Sequence, residues 1–332
     1  MPDSFPALVV KKDDDSFSVG VEGLTMDALP LGEVVIRVEY SSVNYKDGLA
    51  CTPNGRIVRS YPFVPGIDLA GTVANSTDSR FREGDKVLVT GYELGVNHFG
   101  GFSQYARVPA DWVVAVPDGL TVRETMVFGT AGFTAALSLY HLETAGVRAD
   151  QGPVLVTGAT GGVGSVAVAL FSSRGYEVVA STGKESEIGY LRELGAKDVK
   201  PRSETSAESK RVLEKEVWAG AVDPVGGSTL SYILRTTRYN GAVAVSGLTG
   251  GSDLATTVFP FILRGVKLLG VDSVFCPMDI RKDVWQKLAT EWKPAENTLQ
   301  RMVNREVGLD GIASAYPQVL KGEMRGRVLV RL

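Results

Sequence analysis

Val154-Leu155-Val156-Thr157-Gly158-Ala159-Thr160-Gly161-Gly162-Val163-Gly164 runs from a short apolar strand through a glycine-rich turn. A helix of small residues follows directly, Ser165-Val166-Ala167-Val168-Ala169-Leu170. A turn so poor in side chains lets backbone N–H groups approach a pyrophosphate, and the helix N-terminus behind it stabilises negative charge. Against the dinucleotide pattern G-x-G-x-x-G, Ala159 stands at the first position and Gly161 and Gly164 at the others, with extra glycines at Gly158 and Gly162. A tight strand-to-helix turn with no ligand is the plainer alternative.

Outward from this turn, strands and helices alternate. Glu177–Ser181 reads as a strand and Glu185–Leu194 as a helix stopped by Gly195. Val199 ends another short strand. Ala221–Asp223, Ala242–Ser246 and Lys267–Val271 are further strands, with a helix over about 228–238. Such alternation implies a doubly wound parallel sheet, a Rossmann-type α/β domain. The charged stretch Ser203–Lys215 reads as a solvated helix face.

Upstream the texture changes. Ala7–Val10, Val34–Tyr40, Gly71–Ala74, Lys86–Thr90 and Trp112–Val116 are short β-branched runs between Gly and Pro punctuators, a barrel or sandwich pattern. Val122–Glu143 is apolar on most faces and reads as one or two buried helices with a break at Gly129–Gly132. Downstream, Ile280–Trp292 and Leu309–Lys321 read as helices and Arg327–Val330 as a strand.

The second strand of the alternating region ends Ala180-Ser181-Thr182-Gly183-Lys184, without the acidic residue that would grip the ribose 2′-OH of NAD. Hydroxyls and a cation suit the 2′-phosphate of NADP. Arg202 is a candidate second cation; the alternative is that both are exposed loop charges.

The chain has 332 residues, about two domains at roughly 150 each. Lys+Arg number 35 against 38 Asp+Glu, which gives no electrostatic reason to expect a nucleic-acid partner. Two Cys, Cys51 and Cys276, and two His, His98 and His141, cannot build a disulfide framework or a four-Cys zinc site. A catalytic zinc on Cys, His and a carboxylate stays open in principle, but no metal-ligand spacing appears, so no metal is expected. Met1–Val10 is too short and mixed for a signal peptide and no run of 18 apolar residues occurs, so the expectation is a cytoplasmic protein without membrane contact.

Asn44-Tyr45-Lys46-Asp47 follows a predicted strand and either lines a site or forms an ordinary turn. His98 is either a titrating group or a solvated loop side chain. Cys51 has no base near it in sequence.

Together, Val64-Pro65-Gly66-Ile67-Asp68-Leu69-Ala70-Gly71-Thr72-Val73, Gly84–Val89, Gly100–Tyr105, Thr130–Thr134 and Gly158–Gly164 resemble the medium-chain dehydrogenase/reductase superfamily. Ser41–Asp47, Pro260–Arg264 and Gly270–Ser273 look more narrowly like its acryloyl-CoA reductase and quinone oxidoreductase group, over nearly the whole chain. The resemblance implies a GroES-like β-rich catalytic domain over 1–124 and 295–332, and a Rossmann domain over 125–294, with the active site in a cleft between them. It implies a zinc-free reductase that prefers NADPH, with NADH allowed because Lys184 replaces a commoner arginine. The reaction would reduce a short 2-enoyl-CoA, acryloyl-CoA to propionyl-CoA, with a quinone as the alternative acceptor. Asn44 and Tyr45 would be the catalytic donors, and Arg56 and Arg59 would either meet the phosphates of the coenzyme A carrier or be plain surface charges. The cofactor contacts it implies are Tyr45, Thr130, Gly161, Gly162, Val163, Gly164, Thr182, Gly183, Lys184, Arg202, Leu248, Ile262 and Ser273. It also implies a homodimer, and an apolar strand at Lys267–Val271, left at a sheet edge, would gain by pairing with its twin.

Overall fold

A computed structural model describes residues 2–13 and 16–332. The chain divides into two compact units, Met1–Thr130 with Val274–Ala289 and Val303–Leu332, and Ala131–Ser273 with Thr290–Met302.

In the first unit β1 (Phe5–Lys12) pairs antiparallel with β2 (Phe17–Leu24). Then come β3 (Val34–Ser42), the six-residue helix α1 (Tyr45–Ala50), β4 (Asp68–Ser76), β5 (Lys86–Thr90), β6 (Tyr105–Val108) and β7 (Val114–Ala115). The long helix α2 (Val122–Thr144) begins in the first unit and ends in the second.

The second unit continues with β8 (Val154–Val156), α3 (Gly162–Ser173), β9 (Val178–Thr182), α4 (Ile188–Glu193), β10 (Asp198–Pro201) and α5 (Arg202–Thr205). Then follow β11 (Trp218–Asp223), α6 (Gly227–Thr236), β12 (Thr237–Val245), α7 (Phe259–Arg264) and β13 (Lys267–Gly270). The chain re-enters the first unit with α8 (Met278–Ala289), returns to the second with α9 (Glu296–Met302), and closes in the first with β14 (Val303–Val307), α10 (Ile312–Leu320) and β15 (Arg327–Arg331).

The first unit is built on a sheet ordered β14-β15-β3-β4-β5-β7, with β6 pairing Val34–Arg37 of β3 and β15 its last residues. Every pair but β14–β15 is antiparallel. Val34, Ile36 and Val38 alternate along β3 into a core shared with Leu69, Val73, Val87 and Val89. A second core joins Val43 and Cys51 to Ile312, Ala315, Val328 and Val330, so the C-terminal strand and helix complete this unit. The second unit is a six-stranded parallel sheet ordered β10-β9-β8-β11-β12-β13, the doubly wound order in which the topology reverses beside the first strand.

Three expectations change. The segment 274–289 belongs to the first unit rather than to the parallel-sheet domain, and 295–302 to the second. Arg281 of α8 explains the first of these. It is fully buried, donates through Nη1 to Thr90 O at 2.8 Å and through Nη2 to Val274 O at 3.1 Å, and lies 4.7 Å from the Tyr92 ring centre. The stretch Ser203–Lys215 is not a helix beyond α5. One of its charges has a distant partner: Glu214 accepts from Arg235 Nε at 3.1 Å and donates its own N–H to Arg235 O. Finally, Glu185–Leu194 begins as a 3-10 turn before α4, with Gly195 at φ +107 closing it as expected.

Candidate functional site

Two sets of residues carry chemistry, one in each unit. In the second, the chain leaves β8 through Gly158, at φ +53, and enters α3 with Gly161 as N-cap. A Cβ on Gly164 would collide with the Gly158 carbonyl, so the helix start can lie this close to the turn only as glycine. The first N–H groups of α3, those of Gly162, Val163 and Gly164, have no carbonyl partner within the helix and are the donors an anion would use. Buried Asp223, at the end of β11, braces the turn. It accepts Thr157 Oγ1–H at 2.5 Å and the N–H groups of Val225 and Gly226 at 3.0 Å each, while burial pushes its carboxyl up.

At the end of β9, Thr182 Oγ1 accepts the N–H of Lys184 at 3.0 Å. A Cβ on Gly183 would lie 3.3 Å from Arg202 Cζ, so the guanidinium lies across that glycine. The structure thus brings Thr182, Gly183 and Arg202 together with the backbone of Lys184, with no carboxylate between Ala180 and Lys184. Thr134 Oγ1 donates to Ser273 Oγ at 2.8 Å. Leu248 and Ile262 are each 67 % exposed, an unusual position for large apolar side chains.

In the first unit the site grows from the break in α2. Gly129 has φ 52 and ψ −159, a conformation closed to L side chains, and a Cβ there would collide with Asp68 and Ser42. The break frees a carbonyl before it and an N–H after it. Arg327 Nε donates to the freed Val127 O at 3.2 Å. Asp68 Oδ1 accepts the Thr130 N–H at 2.9 Å and the Thr130 hydroxyl at 2.6 Å. One buried ion pair therefore satisfies both ends of the interruption. Arg327 Nη2 and Asp68 Oδ2 are 3.6 Å apart, bridged by Ser42 Oγ, which accepts from Arg327 at 2.7 Å and donates to Asp68 at 2.5 Å.

Asn44 completes this network. Its Nδ2 donates to Asp68 Oδ2 at 2.7 Å and to Ser42 O at 3.1 Å, and its Oδ1 accepts from Arg327 Nη1 at 3.2 Å. Both amide hydrogens are committed inside the fold. The expectation that Asn44 donates to substrate does not fit this geometry, which makes it a positioning residue. Asp47, wholly buried, accepts the N–H groups of Asn44 at 2.7 Å and Ile67 at 2.9 Å, fixing the first turn of α1. Burial, and then the charge of Asp68, push its carboxyl up to about 7 against those donors. Burial lowers Arg327, opposed by Asp68 and Asp47. Tyr45, between these inward-facing residues, opens α1 with its side chain 48 % exposed and its hydroxyl unpartnered among the described residues.

Asp68, Asp47, Arg327 and Ser42 had no assigned role in the sequence reading. The N-cap spacing Asn44-x-x-Asp47 was a usable signal for α1; for Arg327 no local signal exists. His98 is neither solvated nor free. Its Nε2 meets Arg107 O at 2.7 Å, its ring packs edge-on against Trp112, and burial lowers its pKa.

The model of the alcohol dehydrogenase GroES-like domain matches residues 30–118, and that of the zinc-binding dehydrogenases matches 162–290. The chain is 51 % identical to the "Putative quinone oxidoreductase YhfP" of Bacillus subtilis over 99 % of both chains. It is 49 % identical to the acrylyl-CoA reductase AcuI of Ruegeria pomeroyi over 98 % of both. The YhdH oxidoreductase of Salmonella enterica, solved in complex with NADP, superposes with a TM-score of 0.95 at 46 % identity, covering 98 % of this chain and 99 % of that one. The zinc that one family description implies does not fit: Cys51 and Cys276 are buried, and no group of three or more His, Cys, Asp or Glu among the described residues could hold a metal ion. On whole-length identity and shared architecture, the chain belongs to the medium-chain dehydrogenase/reductase superfamily, in the group that holds the AcuI and YhfP proteins.

Proposed function

We propose that this chain is an NADPH-dependent reductase of the activated carbon–carbon double bond of a short 2-enoyl-CoA, acryloyl-CoA to propionyl-CoA. The observation that carries the reading is the 49 % identity to an acrylyl-CoA reductase over practically the whole length of both chains. Quinone reduction is the second reading, favoured by the comparable identity to the YhfP protein.

The glycine turn and the free N–H groups of α3 fit a dinucleotide pyrophosphate. Lys184 and the Arg202 guanidinium across Gly183 fit a 2′-phosphate, as does the lack of a carboxylate at the end of β9. This supports NADPH over NADH, and relatives of known structure carry NADP in one case and NAD in another. Thr130, Leu248, Ile262 and Ser273 are the proposed contacts to the rest of the cofactor.

A dihydronicotinamide held by the α3 turn, Thr182, Lys184 and Arg202 would supply hydride for the β-carbon. Negative charge then grows on the thioester oxygen, and a donor aimed there lowers the barrier more than a strong base would. Tyr45 is the residue with a hydroxyl to give. Asn44 and Asp47 hold its backbone through the α1 N-terminus and leave its side chain outside the buried network. The Tyr45 O–H donates to the enolate oxygen, and the α-carbon takes its proton from water or from that hydroxyl.

A homodimer joined through the second unit belongs to the same reading. Among the described residues β13 has a neighbour on one side only, and the helix just before it exposes Ile262 and Leu263. The chain has no helix among the described residues long and apolar enough to cross a membrane.

The test follows NADPH absorbance with acryloyl-CoA, with a benzoquinone, and with neither. Oxidation dependent on acryloyl-CoA supports the reading; oxidation by the quinone alone replaces it with the second.

A further inference from the structure

From the last turn of α1 to the start of β4 runs a stretch of twenty residues, Gly48–Ile67, with no acidic side chain. It carries Arg56 and Arg59, both exposed, and among the described residues neither has an ion pair or a hydrogen-bonded side-chain partner. Arg80 of the same unit, also exposed, pairs with Asp78 and Asp111.

The loop holding the two arginines is built rather than loose. Thr52 Oγ1 donates to Leu49 O at 3.0 Å, Gly55 N–H to Thr52 O at 3.2 Å, and Gly55 packs so closely on Leu49 O that a Cβ could not fit. Lys12 Nζ donates to Pro53 O at 2.9 Å and brings a third positive charge to the same loop. The nearby Asp13 carboxylate is occupied by the N–H and hydroxyl of Ser16. Arg56 is held at φ 53, a left-handed conformation that a β-carbon disfavours, in a loop locked to α1. Tyr45 opens α1, and six helical residues put about 9 Å between it and the start of this loop.

We propose that Arg56 and Arg59, with Lys12 beside them, hold the phosphate groups of the substrate's coenzyme A carrier. This rests on the acyl-CoA reading of the preceding section. The chemistry matches. The carrier's phosphates stand at the far end of a long flexible arm from the reactive thioester, so the cations that hold them belong away from the hydroxyl that serves the thioester oxygen. A quinone offers nothing to these arginines. Contacts to a non-reacting part of the substrate act on binding more than on the chemical step, so their loss should appear mainly in KM.

The test compares the wild-type chain with the Arg56→Gln/Arg59→Gln double variant on two substrates, acryloyl-CoA and S-acryloyl-N-acetylcysteamine. Both present the same enoyl thioester, but the second has no phosphates. The wild type should favour acryloyl-CoA by roughly 30-fold in kcat/KM, with a KM that rises as salt is added. The double variant should lose most of that preference through KM and lose the salt dependence, while turning over the truncated thioester as the wild type does and binding NADPH normally. Equal kcat/KM for the two thioesters in the wild type, or an unchanged KM for acryloyl-CoA in the variant, would overturn this assignment and leave enoyl reduction standing. Failure of the wild type to reduce either thioester, with a quinone accepted, would remove the acyl-CoA reading and this site with it.

Discussion

Replacing Asp68 by Asn probes the buried network most directly, because the side chain keeps its shape and loses only its charge and one acceptor oxygen. Asp68 takes four donors: the Thr130 N–H and hydroxyl on Oδ1, and Ser42 Oγ and Asn44 Nδ2 on Oδ2. Whichever way the new amide turns, its NH2 group faces two of them. Two buried donors then lose an acceptor, at about 1–3 kcal/mol each. Arg327, 2 % exposed, also loses its counter-charge, and breaking a buried pair from one side typically costs about 3–5 kcal/mol. These contributions overlap, so the expected loss is about 4 kcal/mol, a large share of the roughly 5–15 kcal/mol that stabilises a domain. Urea unfolding followed through Trp fluorescence measures it, and the midpoint should drop by about 2 M. Adding Arg327→Met removes the stranded charge, so the double variant should be less destabilised than the sum of the single variants, by about 2 kcal/mol. If Asp68→Asn stays within about 1 kcal/mol of the wild type, or the double variant is additive, the network does not hold the helix break in the way its geometry suggests.

Three further outcomes are expected. Replacing Lys184 and Arg202 together by Ala should weaken NADPH by about 100-fold or more while changing NADH little, since charge-assisted bonds contribute about 1.5–3 kcal/mol each; equal losses in fluorescence titrations with the two cofactors would remove both cations from the phosphate site. Gly164→Ala should abolish cofactor binding or shift it by at least tenfold, because the added methyl meets the Gly158 carbonyl and forces α3 off the turn; calorimetric titration with NADPH checks this. Asp47 titrates near 7 in the fold, above the usual carboxyl value of 3.8, so the fold favours its neutral form. The stability that it contributes is present at low pH and lost as pH rises through about 7, and the wild-type-minus-Asp47→Asn difference in unfolding free energy should shrink from about pH 5 to pH 8.

Legibility followed the range of the interactions. The parallel-sheet unit could be read because most of its strands and helices carry their own period, and glycines stop α3 and α4 at Gly175 and Gly195. The break in α2 showed as a glycine pair in an apolar helix. β2 escaped because it is a two-stranded ribbon with little buried on either face, so Phe17–Leu24 has no apolar alternation strong enough to notice. The segment 291–307 escaped too: α9 is short and β14 half-exposed. Ser203–Lys215 misled because charge spacing resembles a solvated helix whether the partners are local or, as for Glu214 and Arg235, distant. The site split the same way. Its glycine turn is contiguous, whereas Asn44 and Arg327 meet across 283 residues of chain. A buried arginine in a short strand looks in sequence like any edge residue.

What the sequence treats as one polar cluster, the fold divides by direction. Asn44 and Asp47 flank Tyr45, yet the capping geometry of α1 turns both inward, where Ser42, Asp68, Arg327 and the Ile67 N–H take up their polar atoms. A side chain whose every donor is used cannot change partner without stranding a buried charge, so Asn44 is poorly suited to catalysis and well suited to holding position. The residue between them is left with an exposed ring and a free hydroxyl on a backbone fixed from both sides. Low mobility of the backbone and freedom of the donor are what stabilising a transient oxyanion requires, since the donor must be in place before the charge appears. The same buried carboxylate that orders Asn44 also holds Thr130 at the break of α2. A change at Asp68 should therefore disturb the helix break and the setting of Tyr45 together, although Asp68 itself is wholly buried.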